Sequence, residues 1–175
     1  MKHNPDELFP VVDEAGNIIG SATRTECHSG SMLLHPVVHL HVVAPDGSVY
    51  LQKRSMNKDI QPGKWDTAVG GHIDLGECVG DALMREASEE LGIDASKAEL
   101  LKSYVFTSPV ERELVNTYYI KVHPEEFSPT PATDEVDEAR FWSPDEIEAA
   151  FGKNILTPNL EMELRTILPL IKEKI

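Results

Sequence analysis

The chain is poor in cysteine, in positive charge and in long apolar runs. Two cysteines, Cys27 and Cys78, in 175 residues are too few for a disulfide framework, and each reads as a small, partly buried thiol. Lysine and arginine number 16 against 30 aspartates and glutamates, a formal charge of −14. A nucleic-acid polymer or an anionic membrane needs a basic footprint, so neither is expected as a partner. No segment approaches the roughly 18 apolar residues of a membrane span. The opening MKHNPDELFP has no apolar core of a secretory leader, and the expected location is cytoplasmic. Low-complexity runs, a dividing linker and internal repeats are missing too, which leaves one domain large enough for a real core. An anionic small substrate would be repelled by this charge unless metal ions and a local basic patch offset it.

What is present is concentrated between Gly71 and Ile93, GHIDLGECVGDALMREASEELGI. The pattern predicts a helix from about Glu77 to Leu91, stopped by Gly92 where a left-handed cap is favoured. At about 100° per residue, Leu83, Met84, Ala87 and Leu91 form an apolar stripe. Glu86, Glu89 and Glu90 crowd the arc beside it. Carboxylates at such spacing repel one another and weaken a helix unless something positive sits on them. Mg²⁺ would answer that, since it takes oxygen ligands from one or two carboxylates plus substrate phosphates. Arg85 is placed to pair with Glu89 one turn on and with Glu77 at the helix start, orienting the ligands. The plainer reading of three glutamates alone is a solvated acidic face.

Position changes that balance. Gly71, Glu77, Arg85-Glu86, Glu89-Glu90, Gly92 and the apolar Ile93 stand at spacings that resemble the Nudix box of the Nudix hydrolase superfamily, with every fixed position filled. The resemblance implies that Glu86, Glu89 and Glu90 bind Mg²⁺ or Mn²⁺, with the Gly71 carbonyl as a further contact, and that Arg85 and Glu77 orient them. It also implies an α/β/α sandwich around a mixed sheet.

The rest of the chain reads as scaffold and pocket. Phe9 to Arg24 predicts a β-hairpin, within an N-terminal extension (residues 1–30) that precedes the main domain (31–175); packing and homodimer formation are both open roles for it. Pro36–Ala44 and Val49–Arg54, joined by Pro45-Asp46-Gly47, predict a core hairpin. His39 and His41 share one strand face and read as hydrogen-bonded histidines rather than metal ligands. Lys53, Arg54, Lys58 and Lys64 form a basic island, either solubilising charge or phosphate contacts; Lys53, Arg54 and Lys64 are the candidate substrate-binding residues. Trp65 reads as an anchor of that loop. Strands are expected at Leu100–Thr107, Leu114–Val122 and Ala139–Trp142, with an irregular acidic segment from His123 to Glu138. Helices are expected after Ser143-Pro144 and from Leu160 to Lys174 despite Pro169. Strands mixed with two or three helices make an α/β chain.

A second resemblance is carried by Arg54 to Trp65, RSMNKDIQPGKW, which looks like the matching stretch of isopentenyl diphosphate isomerases, a Nudix-fold branch that does not hydrolyse. His28, His35 and Gly71-His72 are similar to its metal-binding histidines; the alternative is that they are core and loop residues. Asp134-Glu135-Val136 and Phe141-Trp142 resemble its later segment. The isomerases carry a cysteine where this chain has Gly70, and glycine cannot move a proton. The reading is therefore a metal-dependent hydrolase acting on a nucleoside diphosphate derivative or related organic diphosphate, by attack of water on phosphorus. Glu86 or Glu89 is the first candidate base, with Glu111, Glu113, Glu135 and Glu138 as loop alternatives. Two other readings stay open: an isomerase in which Tyr104 or His72 replaces the cysteine, and a nucleotide sensor without turnover.

Overall fold

The described residues of this computed structural model, 4–131 and 134–175, form thirteen elements. Met1–His3 of the opening stretch and Ala132–Thr133 of the irregular acidic segment lie outside them. In chain order the elements are β1 (Leu8–Val12), β2 (Ile18–Thr23), α1 (Arg24–Cys27), β3 (Leu34–Val43), β4 (Val49–Arg54), β5 (Trp65–Thr67) and β6 (Val69–His72). They continue as α2 (Val79–Leu91), β7 (Glu99–Thr107), β8 (Arg112–Lys121), β9 (Val136–Trp142), α3 (Pro144–Ala150) and α4 (Pro158–Lys174).

Strand β3, LHPVVHLHVV, is buried along almost its whole length, as a strand apolar on both faces must be. It pairs in parallel with β8 from Leu34↔Arg112 to Val43↔Lys121 and antiparallel with β6 from Val37↔His72 to Leu40↔Val69. The sheet runs β5-β4-β3-β8-β7, with β6 added on β3 and β9 on β4. Side chains alternate across it. Val38, Leu40 and Val42 meet Ala82, Leu83, Ala87 and Leu91 of α2, while Val43 meets Leu160, Leu164, Ile167 and Ile171 of α4. Helices on both faces of a mixed sheet make the expected α/β/α sandwich.

The turn at Pro45-Asp46-Gly47 is as expected, with Gly47 at φ +88° and Asp46 Oδ1 accepting from the Ser48 N–H at 2.9 Å. The hairpin it closes is not. β3 and β4 pair only at Val43↔Val49, then part, so that β3 takes β6 and β8 as neighbours and β4 takes β5 and β9. The fork between them is where the cleft opens.

Helix α2 begins at Val79, with Cys78 at its N-cap, rather than at Glu77, and Gly92 closes it in the left-handed conformation. Met84 is 38% exposed, and Ala82 takes its place in the buried stripe. Sequence pattern misses β5, β6 and α1, which are too short or too glycine-rich to carry a period. Helix α3 has the capping box expected of Ser143, reciprocated by Glu146, and α4 starts behind Thr157 and runs through Pro169. β1 and β2 form a separate two-stranded sheet, fixed inwardly by Phe9, Val11, Ala22 and Cys27, with Ile18 and Ile19 exposed. Among the described residues no helix is long and apolar enough to cross a membrane.

Candidate active site

A cleft of about 1080 Å³ lies in the fork, with walls from α2, β3, β6, the loops after β4 and β7, and the N-terminal hairpin. Because α2 buries Leu83, Ala87 and Leu91, its register turns Glu86, Glu89 and Glu90 into this cleft. Arg85 lies across them. Its Nε and Nη2 donate to the two oxygens of Glu77 at 2.8 and 2.9 Å, and Nη1 donates to Glu86 at 2.7 Å and reaches Glu89 at 3.5 Å. Nη2 also donates to the His72 carbonyl at 3.1 Å, which ties the helix to β6. The Gly70 N–H donates to Glu90 Oε2 at 2.9 Å. At Gly71 a side chain has no room: a Cβ there would fall on the Glu86 carboxyl.

This arrangement leaves negative charge uncompensated. Burial pushes the Glu90 carboxyl up to about 8, with Glu86 adding to the shift, and burial also raises Glu86. Glu77, by contrast, is held low by the hydrogen bonds from Arg85. Buried carboxylates that resist ionisation beside a bare backbone position are what an absent divalent cation would relieve, so the residues fit Mg²⁺ or Mn²⁺.

A second cluster lies beside the first. His28, His35 and His72 bring ligand-type nitrogens within 4.8 Å of one another, and so do His35, Glu111 and Glu113 with their nitrogen and oxygens. His28 Nε2 and His72 Nε2 are 3.2 Å apart. Glu111 Oε2 lies 3.1 Å from His28 Nε2 and 3.7 Å from His35 Nε2, yet is aligned with neither as a hydrogen bond. The Leu33 carbonyl, 3.0 Å from His35 Nδ1, fixes the ring with its Nε2 inward and without a hydrogen-bond partner among the described residues, and burial lowers the ring's pKa. Burial and Glu111 raise Glu113 to about 7. Three converging imidazoles beside a carboxylate fit a borderline transition metal better than Mg²⁺. Phe9 of β1 stacks on His72 at 4.5 Å and 3° between planes. The hairpin extension therefore packs against the site itself.

The basic island divides. Arg54 and Lys58 line the cleft, Arg54 bonded to Asp66 at 3.2 Å and Lys58 facing Glu135 at 3.6 Å. Lys53 and Lys64 are not among its lining residues; Lys64 instead donates to Asn154. On β4, Lys53 alternates with Gln52 and Arg54, which do line the cleft, so its side chain leaves from the opposite face. Glu111, Glu113 and Glu135 also line it, whereas Glu138 sits opposite Lys53 on β9 and does not. Trp65 is an anchor, edge-on to Trp142 at 5.0 Å. His39 and His41 are hydrogen-bonded sheet histidines as expected, both to Glu163. The sequence carried no signal for Glu163, or for Glu7, Arg24 and Asp66 as cleft residues.

The NUDIX domain family matches residues 33–160. This chain belongs to the Nudix family. Among relatives of this Nudix chain, an isopentenyl-diphosphate Delta-isomerase of Paenarthrobacter aurescens is 33% identical over 125 residues, 68% of each chain. The uncharacterized Nudix hydrolase SCO1686 of Streptomyces coelicolor is 29% identical over 161 residues, 91% of this chain and 87% of that one. In fold, the chain is similar to DR0079 of Deinococcus radiodurans, with a TM-score of 0.75 and 21% identity over 91% of this chain and 98% of that one. It is also similar to a MutT NUDIX hydrolase of Burkholderia pseudomallei, at 0.62 and 23% over 77% and 98%. Relatives named as isomerases and relatives named as hydrolases thus both resemble it.

Proposed function

We propose that this Nudix protein hydrolyses the diphosphate linkage of a nucleoside diphosphate derivative or a related organic diphosphate. The observation that carries the reading is a complete carboxylate face, Glu86, Glu89 and Glu90 under Arg85, set beside a bare Gly70 where an isomerase needs its cysteine. Glu86, Glu89 and Glu90, with the Gly71 carbonyl, would hold Mg²⁺ or Mn²⁺; His28, His35, His72 and Glu111 would hold a second ion. When bound, such ions neutralise charge on the diphosphate and acidify water. Arg85 fixes the carboxylates. Glu86 and Glu113 accept a proton more readily than an ordinary carboxylate, because burial raises both, and Glu113 near 7 is matched to neutral pH. Arg54 and Lys58 face the substrate's phosphates. Phe106 is the one Phe, Tyr or Trp among the described lining residues, so the far end of the substrate meets little aromatic surface.

The histidine and glutamate cluster also supports the isomerase reading. Against it, the Tyr104 hydroxyl is already given to Glu163 at 2.6 Å and the His72 ring faces His28, so neither stands as a free replacement acid. The test is a screen with Mg²⁺ or Mn²⁺ against nucleotide sugars, dinucleotides, nucleoside triphosphates and isopentenyl diphosphate, reading phosphate release and alkene isomerisation together. Release abolished in Glu90→Gln supports the hydrolase. Isomerisation without release overturns it, and binding without either reaction returns the sensor.

A further inference from the structure

Two histidines, His39 and His41, bind one buried carboxylate, but only one of them faces the cleft. Glu163 of α4 is 2% exposed; its Oε2 meets His41 Nε2 at 2.6 Å and its Oε1 meets His39 Nδ1 at 3.0 Å and accepts from Tyr104 at 2.6 Å. His41 is fully buried and does what a core histidine does. His39 has a side chain 19% exposed and lines the cleft. Its Cα partner is Gly70, and a Cβ there would lie 3.4 Å from the ring's Cδ2 and 3.8 Å from Nε2. Nothing of residue 70 covers that edge. The Nε2 atom has no hydrogen-bond partner among the described residues, whereas Arg54 and Lys58, which also line the cleft, each already face a carboxylate, Asp66 and Glu135.

We propose that His39 is a phosphate-binding residue of this site, donating its Nε2–H, left open by Gly70 and backed by Glu163, to an oxygen of the substrate's diphosphate. This rests on the diphosphate reading above. Glu163 is the positioning residue behind it. Burial alone would discharge the ring, but the charge of Glu163 and its hydrogen bond, with Glu113 and Asp66 farther off, hold it protonated with a value raised to about 9. An imidazolium in a cleft walled by carboxylates supplies charge of the sign a diphosphate requires, and a charge-assisted donor is about twice as strong as a neutral one. The bare backbone at residue 70 thus leaves this edge of the His39 ring uncovered.

The experiment is a titration of the full chain with the magnesium complex of methylene bisphosphonate, an uncleavable diphosphate, read by the ring ¹⁵N and ¹H signals of the histidines. The expected result is a saturable shift of the His39 Nε2–H with little change at His41. In calorimetry, His39→Phe is expected to weaken binding on the order of ten- to a hundredfold, and His39→Gln, which keeps an amide donor, to recover most of that loss. Saturable binding that moves the cleft's other signals but leaves His39 in place overturns the proposal and leaves the diphosphate reading standing. Absence of any binding, with no turnover of any diphosphate by the wild type, overturns both. If His39→Phe does not fold, the wild-type shifts decide.

Discussion

Gly71 sits where α2 and β6 come closest, and a methyl group there must displace the end of the Glu86 side chain. That end is flexible, so Gly71→Ala is expected to cost about 1 kcal/mol or less in stability, within about 2–4 °C of melting temperature. Glu86 is a proposed metal ligand, so turnover with Mg²⁺ is expected to fall about a hundredfold, measured as kcat on whichever diphosphate the screen identifies. Glu163→Gln should show the opposite balance at the level of stability, with a loss of about 3–5 kcal/mol because a buried pair is broken on one side. Its pH profile follows from two shifts. Burial disfavours the Glu163 anion, but His39 and His41 hold the carboxyl well below its ordinary value of 4.5, so its contribution is present above that pH and lost as pH falls. His39, raised to about 9, contributes fully below 6.5 and less as pH rises through 9. The gap between wild type and variant in denaturant melts should therefore be widest between about pH 4.5 and 6.5. Neither Glu163 nor its role is readable in the sequence: it lies 124 positions from His39 and has no motif around it.

At the scale of the element, α2 is a helix that folds against its own electrostatics. Its inward stripe is apolar, yet the neighbouring arc presses Glu86 and Glu90 into the protein. Without metal, Glu90 prefers its proton up to about pH 8 against an ordinary 4.5, so the apo fold loses stability as pH rises through that interval. On the proposed reading a divalent ion takes the proton's place. The melting-temperature rise caused by Mg²⁺ is expected to grow between about pH 6 and about pH 8.5, and binding at the lower pH to release a proton, seen as a buffer-dependent heat in calorimetry. An unchanged thermal shift across that range would contradict it. This element is also the most readable in the sequence, since the helical period and the Gly92 stop place the carboxylates on one arc. Met84 was misplaced because period alone ranks a large apolar residue above alanine, whereas the close approach of α2 to β3 has room for Ala82. The fork of β3 and β4 was hidden for a related reason: two apolar strands joined by a good turn predict a hairpin, and only the competing neighbours β6 and β9 reveal that they part.

For the whole molecule, a charge of −14 acts on every anion that approaches. Added salt shortens the reach of that field from about 30 Å at 0.01 M to about 8 Å at 0.15 M. With free Mg²⁺ held constant, kcat/KM for a diphosphate is expected to rise over that range of NaCl, the reverse of an enzyme with a basic funnel. A steady fall would mean that the cleft's own cations dominate. The N-terminal hairpin, read in the sequence as an appendage, belongs to this larger balance because Phe9 stacks on His72 and Glu7 and Arg24 line the cleft; contacts of that separation leave no local pattern. The strands that part after Val43 and Val49 also matter for descent. Arg54, Asp66 and Lys58 hang on or beside one arm, while His35, His39 and the backbone partner of Gly71 belong to the other. Joined at so narrow a root, the arm with Arg54 and Lys58 can vary over generations without disturbing the arm with His35 and His39. A lineage built this way can reshape one wall of the cleft without first unlearning the other.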